Sequence, residues 1–175
     1  MVELTKLTDW KNEEFEPLWN LYVYSFPVEE RRDKEQLKDM IVNEKRMSFN
    51  KVEYDGKLAG LFIYWKLDGF VYMEHLAIFP EMRNARIGGQ VLDLAGEKFE
   101  GMRVFEVEPP VDEITTRRVA FYRRHNYDVV DKTYYQPSYR PKGEGCPLWI
   151  MSNREDAGLQ NKLEQLKDVV YHRTR

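Results

Sequence analysis

The residues from Phe70 to Phe99 constrain this chain most, because a strand, a tight turn and a helix follow one another there without a gap. Phe70 to Phe79 is a nearly unbroken apolar and aromatic run of strand length, the pattern of a strand buried in the middle of a sheet. Pro80 ends it. From there Ile87, Val91, Leu94, Ala95 and Phe99 recur at helical spacing, so one face of a helix packs back on the sheet. The joint is Met82-Arg83-Asn84-Ala85-Arg86-Ile87-Gly88-Gly89. The first backbone amides of a helix have no partner inside it and lie at the positive end of its dipole. Gly88 and Gly89 permit close approach to the main chain and Arg83 and Arg86 add charge, which makes the joint a candidate pyrophosphate cradle. A tight strand-to-helix turn with two solvated arginines is the plainer alternative.

The rest of the chain narrows what such a unit serves. Its 175 residues suit one domain with a single core, spanning 1–175 with no internal repeat. No apolar run approaches the ~18 residues of a membrane span, and with neither a basic start nor an apolar segment after Met1-Val2-Glu3 no signal peptide is expected. A single cysteine, Cys146, and three scattered histidines supply neither an internal disulfide nor a metal set. A cytoplasmic location is the default expectation. A net charge of -3 argues against nucleic-acid and membrane partners, yet tolerates a cationic small substrate.

Taken in order, Val2 to Leu7 reads as a first strand, and Phe15, Leu18, Trp19, Tyr22 and Phe26 line a helix closed by Pro27. Asp33 opens a second helix, with Gln36 completing a capping box and Leu37, Met40 and Ile41 buried. The pairs Asp55-Gly56 and Asp68-Gly69 close hairpins, so 47–54, 58–67 and 70–79 form an antiparallel meander. The helical crossover then makes the strand at 103–107 parallel to its predecessor. Ile114 to His125 is a helix with Ile114, Arg118, Phe121, Tyr122 and His125 on one stripe. Strands are expected at 127–135 and 147–152, joined by a loop rich in Pro, Gly and Tyr. Leu159, Leu163, Leu166 and Val170 mark a terminal helix, about 155–171, that packs on the domain or on a second subunit in a homodimer.

Two stretches carry a family resemblance. EHLAIFPEMRNARIG resembles the central motif of the GNAT superfamily of acetyl-CoA dependent N-acyltransferases, in which a strand and Pro-Glu lead into [QR]-x-x-G-x-[GA]. Arg83 falls on its first position, Arg86 on the first Gly and Gly88 on the last; Arg86, as a helix-compatible residue, is expected to sit there without strain. VAFYRRHNYDVVD resembles the family's A-x-x-[FL]-Y-x-x-x-G-[FY] signature, with Tyr122 and Tyr127 on the aromatic positions and Asn126 replacing Gly, a residue that also visits the left-handed conformation.

The resemblance implies an α/β fold: a mixed, mostly antiparallel sheet of six to seven strands splayed between the fourth and fifth, with helices on both faces and an extra C-terminal helix. It implies an N-acetyltransferase that moves an acetyl group from acetyl-CoA to a primary amine by direct attack. The cofactor-type contacts it implies are Arg83, Asn84, Ala85, Arg86, Ile87, Gly88 and Gly89 on the pyrophosphate, the backbone of Leu76, Ala77 and Ile78 along the thioester arm, and Thr115 where an Asn often touches the pantetheine. It also puts Phe26, Pro27 and Arg31 near the acceptor, though a plain connecting loop is the alternative. The acceptor's identity stays open between a small-molecule amine, such as a polyamine or an antibiotic, and a protein amine at a terminus or a lysine. An acyl-CoA binding module or sensor without turnover is the rival function, and a protein-interaction domain is a third.

Acyl transfer to an amine needs a neutral nucleophile and a proton donor for the departing thiolate. An alkylammonium with a pKa of ~10.4 is neutral in only about one molecule in 2,500 at pH 7, so a base is useful. Glu74, a carboxylate on an otherwise apolar strand, is the candidate; the alternative is a Glu bonded to backbone or to an arginine such as Arg118. Tyr122 is the candidate donor, against the alternative of a core tyrosine. His75 is expected to be structural, an acyl-Cys146 is disfavoured, and Glu106 and Glu108 read as a solvated rim. No metal is required.

Overall fold

Asp55-Gly56 and Asp68-Gly69 set the first half of the fold. In the computed structural model, which describes residues 1–172, Asp55 and Gly56 take φ of 50° and 80°. Two successive positive φ values define the type I′ turn that matches strand twist, and it joins β2 (Met47–Tyr54) to β3 (Lys57–Leu67) with Tyr54 paired to Lys57. At the second pair only Gly69 has positive φ, and it leads into β4 (Phe70–Ile78). A seven-stranded, mostly antiparallel sheet results, in the order β1 (Val2–Lys6), β2, β3, β4, β5 (Met102–Val107), β9 (Trp149–Ser152) and β6 (Asp128–Asp131). No helix among the described residues is long and apolar enough to cross a membrane.

The chain forms two compact units, and β4 contributes to both. The first unit is Met1–Lys66 with Met73–Lys98. It holds β1 (Val2–Lys6), α1 (Phe15–Ser25), α2 (Lys34–Asn43), β2, β3, the later part of β4, a 3-10 turn (Pro80–Ala85) and α3 (Ile87–Lys98). Residues 59–65 of β3 are all buried, so this strand is covered on both faces and its period-2 alternation disappears. Asp33 occupies the N-cap of α2 as expected, but its side chain makes no cap hydrogen bond, so the expected capping box does not form.

The second unit is Leu67–Tyr72 with the chain from Phe99 on. Here Phe70, Val71 and Tyr72 pair in parallel with Met102, Arg103 and Val104 of β5 (Met102–Val107), as the helical crossover requires. α4 (Glu113–Arg124) turns out rotated by one residue from the expected stripe: Ile114 is 67% exposed, while Thr115 and Val119 are buried. One residue is about 100° of helix, enough to move Ile114 from core to solvent. The long strand expected over 127–135 is cut to β6 (Asp128–Asp131), because the Asp131 carboxylate accepts from the Thr133 amide at 2.7 Å and turns the chain. A separate two-stranded sheet follows, β7 (Tyr135–Gln136) with β8 (Cys146–Pro147), and then β9 (Trp149–Ser152). The terminal helix is α5 (Leu159–Leu166) continued by a π-helical turn (Lys167–His172). Leu163, Leu166, Val169, Val170 and Tyr171 are buried within this chain, and the Gln165 side chain accepts from the Asp68 amide at 3.2 Å.

Candidate functional site

The joint between β4 and α3 is an exposed basic turn. Arg83, Asn84 and Arg86 are exposed, and Ile87 and Gly89 are buried where α3 begins. Arg86 does not sit in helical conformation as expected: its φ of 58° and ψ of 32° are left-handed. The position therefore has the backbone geometry that favours glycine, and the arginine holds it at a cost of about 1–2 kcal/mol. The Arg83 Nε donates to the Ile78 carbonyl at 3.2 Å, tying the turn to the end of β4. Reversal of direction at Arg86 brings the chain into α3, whose first-turn amides have no helical acceptor. Two exposed guanidiniums beside such amides suit an anionic diphosphate, so the residues fit that group. The Arg86→Gly variant is expected to stay within about 1 kcal/mol of the parent in urea melts, because strain relief and added unfolded-state freedom nearly cancel.

Farther back on β4, Glu74 is fully enclosed. Both its oxygens accept from Arg32 Nη1 at 2.8 Å, and Oε1 also accepts from the Trp65 indole at 2.9 Å; both side chains of the pair are 0% exposed. This is the arginine-bound alternative, with Arg32 in the place considered for Arg118, which instead pairs with Glu108 at 3.1 Å. Arg32 also donates its amide to the Tyr22 hydroxyl at 2.9 Å and lies over the Trp65 ring. Burial pushes the Tyr22 hydroxyl up to about 12, so it stays protonated and serves as a neutral partner. His75 is buried between the Tyr22 and Phe26 rings. Burial lowers its pKa, which keeps the imidazole neutral. Its Nε2 lies 2.9 Å from the Glu30 carbonyl, which only accepts, so Nε2 carries the proton. The segment from Phe26 to Arg32, between α1 and α2, is thereby clamped to β4 at both Glu74 and His75.

Within the second unit, Thr115 is committed to a helix cap. Its amide and hydroxyl both donate to the Asp112 carboxylate at 2.8 Å, and its oxygen accepts from the Val111 amide at 2.9 Å. The hydroxyl expected to meet a pantetheine thus closes the capping box of α4. The Tyr122 ring packs at a tilt against Phe105 with centroids 4.3 Å apart, and burial raises its pKa. Among the described residues its hydroxyl has no hydrogen bond. Asn126 takes a φ of 70°, the left-handed position expected for it.

Glu106 departs most from the sequence expectation. It is no rim residue: Oε1 accepts from the Tyr72 hydroxyl, from the Tyr171 hydroxyl at 2.5 Å and from Gln136 Nε2 at 3.2 Å. Burial raises its pKa despite these donors. Nothing local to β5 showed that residues 34 and 65 positions away would enclose it.

A family model described as acetyltransferase (GNAT) family matches residues 4–127. A protein of the GNAT family from Bacteroides thetaiotaomicron superposes with a TM-score of 0.90 at 31% identity, covering 97% of this chain and 98% of that one. Aminoglycoside 6'-N-acetyltransferase complexed with coenzyme A superposes with a TM-score of 0.59 at 16% identity, over 88% and 99% of the two chains. A GNAT family acetyltransferase from Elizabethkingia anophelis with acetyl-CoA bound gives 0.57 at 12%, over 88% and 98%. A search of curated protein sequences returns no match.

Proposed function

Because the chain belongs to the acetyltransferase (GNAT) family, we propose that it transfers an acetyl group from acetyl-CoA to a primary amine by direct attack of the amine on the thioester. The observation that carries this reading is the turn at Arg83–Gly89: a left-handed residue, two exposed guanidiniums and the unpartnered first amides of α3 in one short stretch. Arg83, Asn84, Ala85, Arg86, Ile87, Gly88 and Gly89 hold the diphosphate of the donor in this proposal. The main chain of Leu76, Ala77 and Ile78 lies along its pantetheine arm and polarises the thioester carbonyl. The neighbours solved with coenzyme A or acetyl-CoA support a donor of this class.

Tyr122 is the proposed proton donor to the departing thiolate. Its raised pKa keeps the hydroxyl protonated at neutral pH, the state a donor needs. Glu74 has a different weight from the one its place on the strand suggested. A carboxylate that holds an arginine through two hydrogen bonds is stabilised in its charged form and is a weak base. Its proposed task is to anchor Arg32, and with it the segment between α1 and α2, against β4.

Calorimetric titration with acetyl-CoA, combined with a free-thiol release assay over a panel of primary amines, tests this reading. Binding with amine-dependent thiol release is expected; binding without release on any amine would favour a sensor. Arg83→Ala is expected to weaken acetyl-CoA binding about tenfold or more, the worth of one charge-assisted contact. Tyr122→Phe is expected to lower kcat about 100-fold with the dissociation constant unchanged. Equal kcat in Tyr122→Phe would remove that residue from the chemistry.

A further inference from the structure

The second unit contains a carboxyl group to which the reading above gives no task. Glu106 lies on β5 opposite Ile150 of β9, and three donors converge on its Oε1. The Tyr72 hydroxyl comes from β4, the Gln136 amide from β7 at 3.2 Å, and the Tyr171 hydroxyl from the terminal π-helical turn at 2.5 Å. Gln136 also donates to the Tyr171 oxygen at 3.0 Å, so the β7–β8 hairpin and the terminal turn are tied to each other as well as to β5. Oε2 is treated differently. It is sealed from solvent and receives no hydrogen bond, and among the described residues no lysine or arginine pairs with Glu106. The Tyr134 hydroxyl, just ahead of β7, is sealed in the same way and has no partner in hydrogen-bonding geometry, yet lies near enough for it and Glu106 to bear on each other's titration.

An ionised carboxylate divides its charge between its two oxygens, so half of it would rest here on an oxygen with neither a donor nor a counter-cation. A carboxylic acid is asymmetric: one oxygen only accepts, and the other carries a proton to donate. The cage has that asymmetry. We propose that Glu106 is a pH-sensitive clasp: it is a carboxylic acid in the closed cage, with its proton on Oε2 beside Tyr134, and losing that proton as the pH rises releases the terminal segment 159–172 from β5. Charge on Oε2 requires water, and water reaches it only when the cage opens. Tyr72 and Gln136 are held in strand ladders, opposite Val104 and Cys146. Tyr171 is on a π-helical turn with no ladder to hold it, so this is the side that yields.

The titratable and charged groups that face the cage are Tyr72 from β4, Tyr134 and Cys146 from the hairpin, Tyr139 from the loop between its strands, and Glu164, Lys167 and Tyr171 from the terminal helix and turn. Burial pushes the Tyr134 and Tyr171 hydroxyls upward, so both stay protonated through neutral pH, and Lys167 is paired with Glu164 at 3.4 Å. Desolvation is the largest influence on Glu106 and raises its pKa against the hydroxyl and amide neighbours that lower it. The sign follows from the proton count. The closed form holds the proton more firmly than the open one, so the clasp is at full strength below the ordinary glutamate range and weakens as the pH rises through the raised value.

Hydrogen exchange of the full chain from pH 5 to 8, with exchange times scaled to the intrinsic rate, tests this on the parent and on Glu106→Gln. Glutamine keeps the accepting oxygen, offers an N–H donor in place of the acid proton, and has no charge to gain. In the parent, protection of 159–172 is expected to fall by up to tenfold per pH unit, the slope of one released proton. In Glu106→Gln it is expected to be flat with pH, and higher than in the parent at pH 8. Equal pH dependence in the two proteins overturns the proposal. So does a variant less protected than the parent at pH 8, which marks an ionised carboxylate held by its donors. Should the variant fail to fold, carbon-13 NMR titration of the glutamate carboxyls in the parent decides: one that titrates above the ordinary glutamate range supports the proposal, and none doing so overturns it. No acyl donor or acceptor enters either measurement, so the outcome is independent of the acetyl-transfer reading.

Discussion

Arg32→Ala is expected to destabilise the protein by about 3–5 kcal/mol, the usual result of leaving one member of a buried ion pair alone. Glu74 and Arg32 are both fully enclosed, and the pair is closed by two hydrogen bonds of 2.8 Å. Removing the guanidinium takes both of its hydrogen bonds from the buried carboxylate, to which the Trp65 indole still donates, and opens a cavity beside that ring. The pair itself need not be worth that much, since removing two charges from water offsets most of their attraction. The double variant Arg32→Met with Glu74→Leu is therefore expected to recover most of the loss, because no charge is then left buried. Urea melts of the two single variants and the double variant measure this as a coupling energy. If Arg32→Ala lost under about 1 kcal/mol, the pair would be solvated in solution and the clamp on the segment before α2 would not exist. With the clamp intact, the Phe26 ring is held with its centroid 4.3 Å from that of His75, and release of the segment loosens this contact.

How far the sequence carried these conclusions differs from residue to residue, and distance along the chain explains the difference. The start of α3 at Ile87, the type I′ turn at Asp55-Gly56 and the left-handed Asn126 all depend on neighbours within a few positions, and their residue types announce them. Arg86 shows the limit of that logic, since a side chain compatible with helix was found in a conformation that only the turn's path demands. The partners of Glu74 and Glu106 lie tens of residues away, beyond what the local pattern of either strand reports. Thr115 was legible as a position in a motif, yet its hydroxyl is consumed by Asp112, a local competitor that a motif match does not weigh. The terminal helix was foreseen from its leucines, but the π-helical turn that delivers Tyr171 to Glu106 has no sequence mark of its own.

Gly60→Ala is expected to lower stability by roughly 3 kcal/mol or more, at or beyond the upper end of usual overpacking costs. Strand propensity alone gives the opposite sign, since glycine in a strand interior is weaker than alanine. Geometry decides: a Cβ on Gly60 would stand 2.1 Å from the Ala77 carbonyl oxygen and 3.0 Å from the Ile78 Cα. Both are main-chain atoms, so no side-chain rotation relieves the contact, and β4 itself must move away from β3. Next to this contact the Phe79 amide donates to the Ala59 carbonyl at 2.9 Å, a bond that such a shift strains. Gly101→Ala is the matched control, because nothing lies within 4 Å of its added carbon, and it is expected to be neutral or to stabilise by up to about 1 kcal/mol. Thermal and urea melts of the two variants check both signs. Ala77 and Ile78 are also the main chain proposed to lie along the acyl donor, so a Gly60→Ala protein that still folds is expected to bind acetyl-CoA more weakly, whereas Gly101→Ala is expected to bind as the parent does. Equal affinity in both variants would mean that the donor's arm does not run along this part of β4.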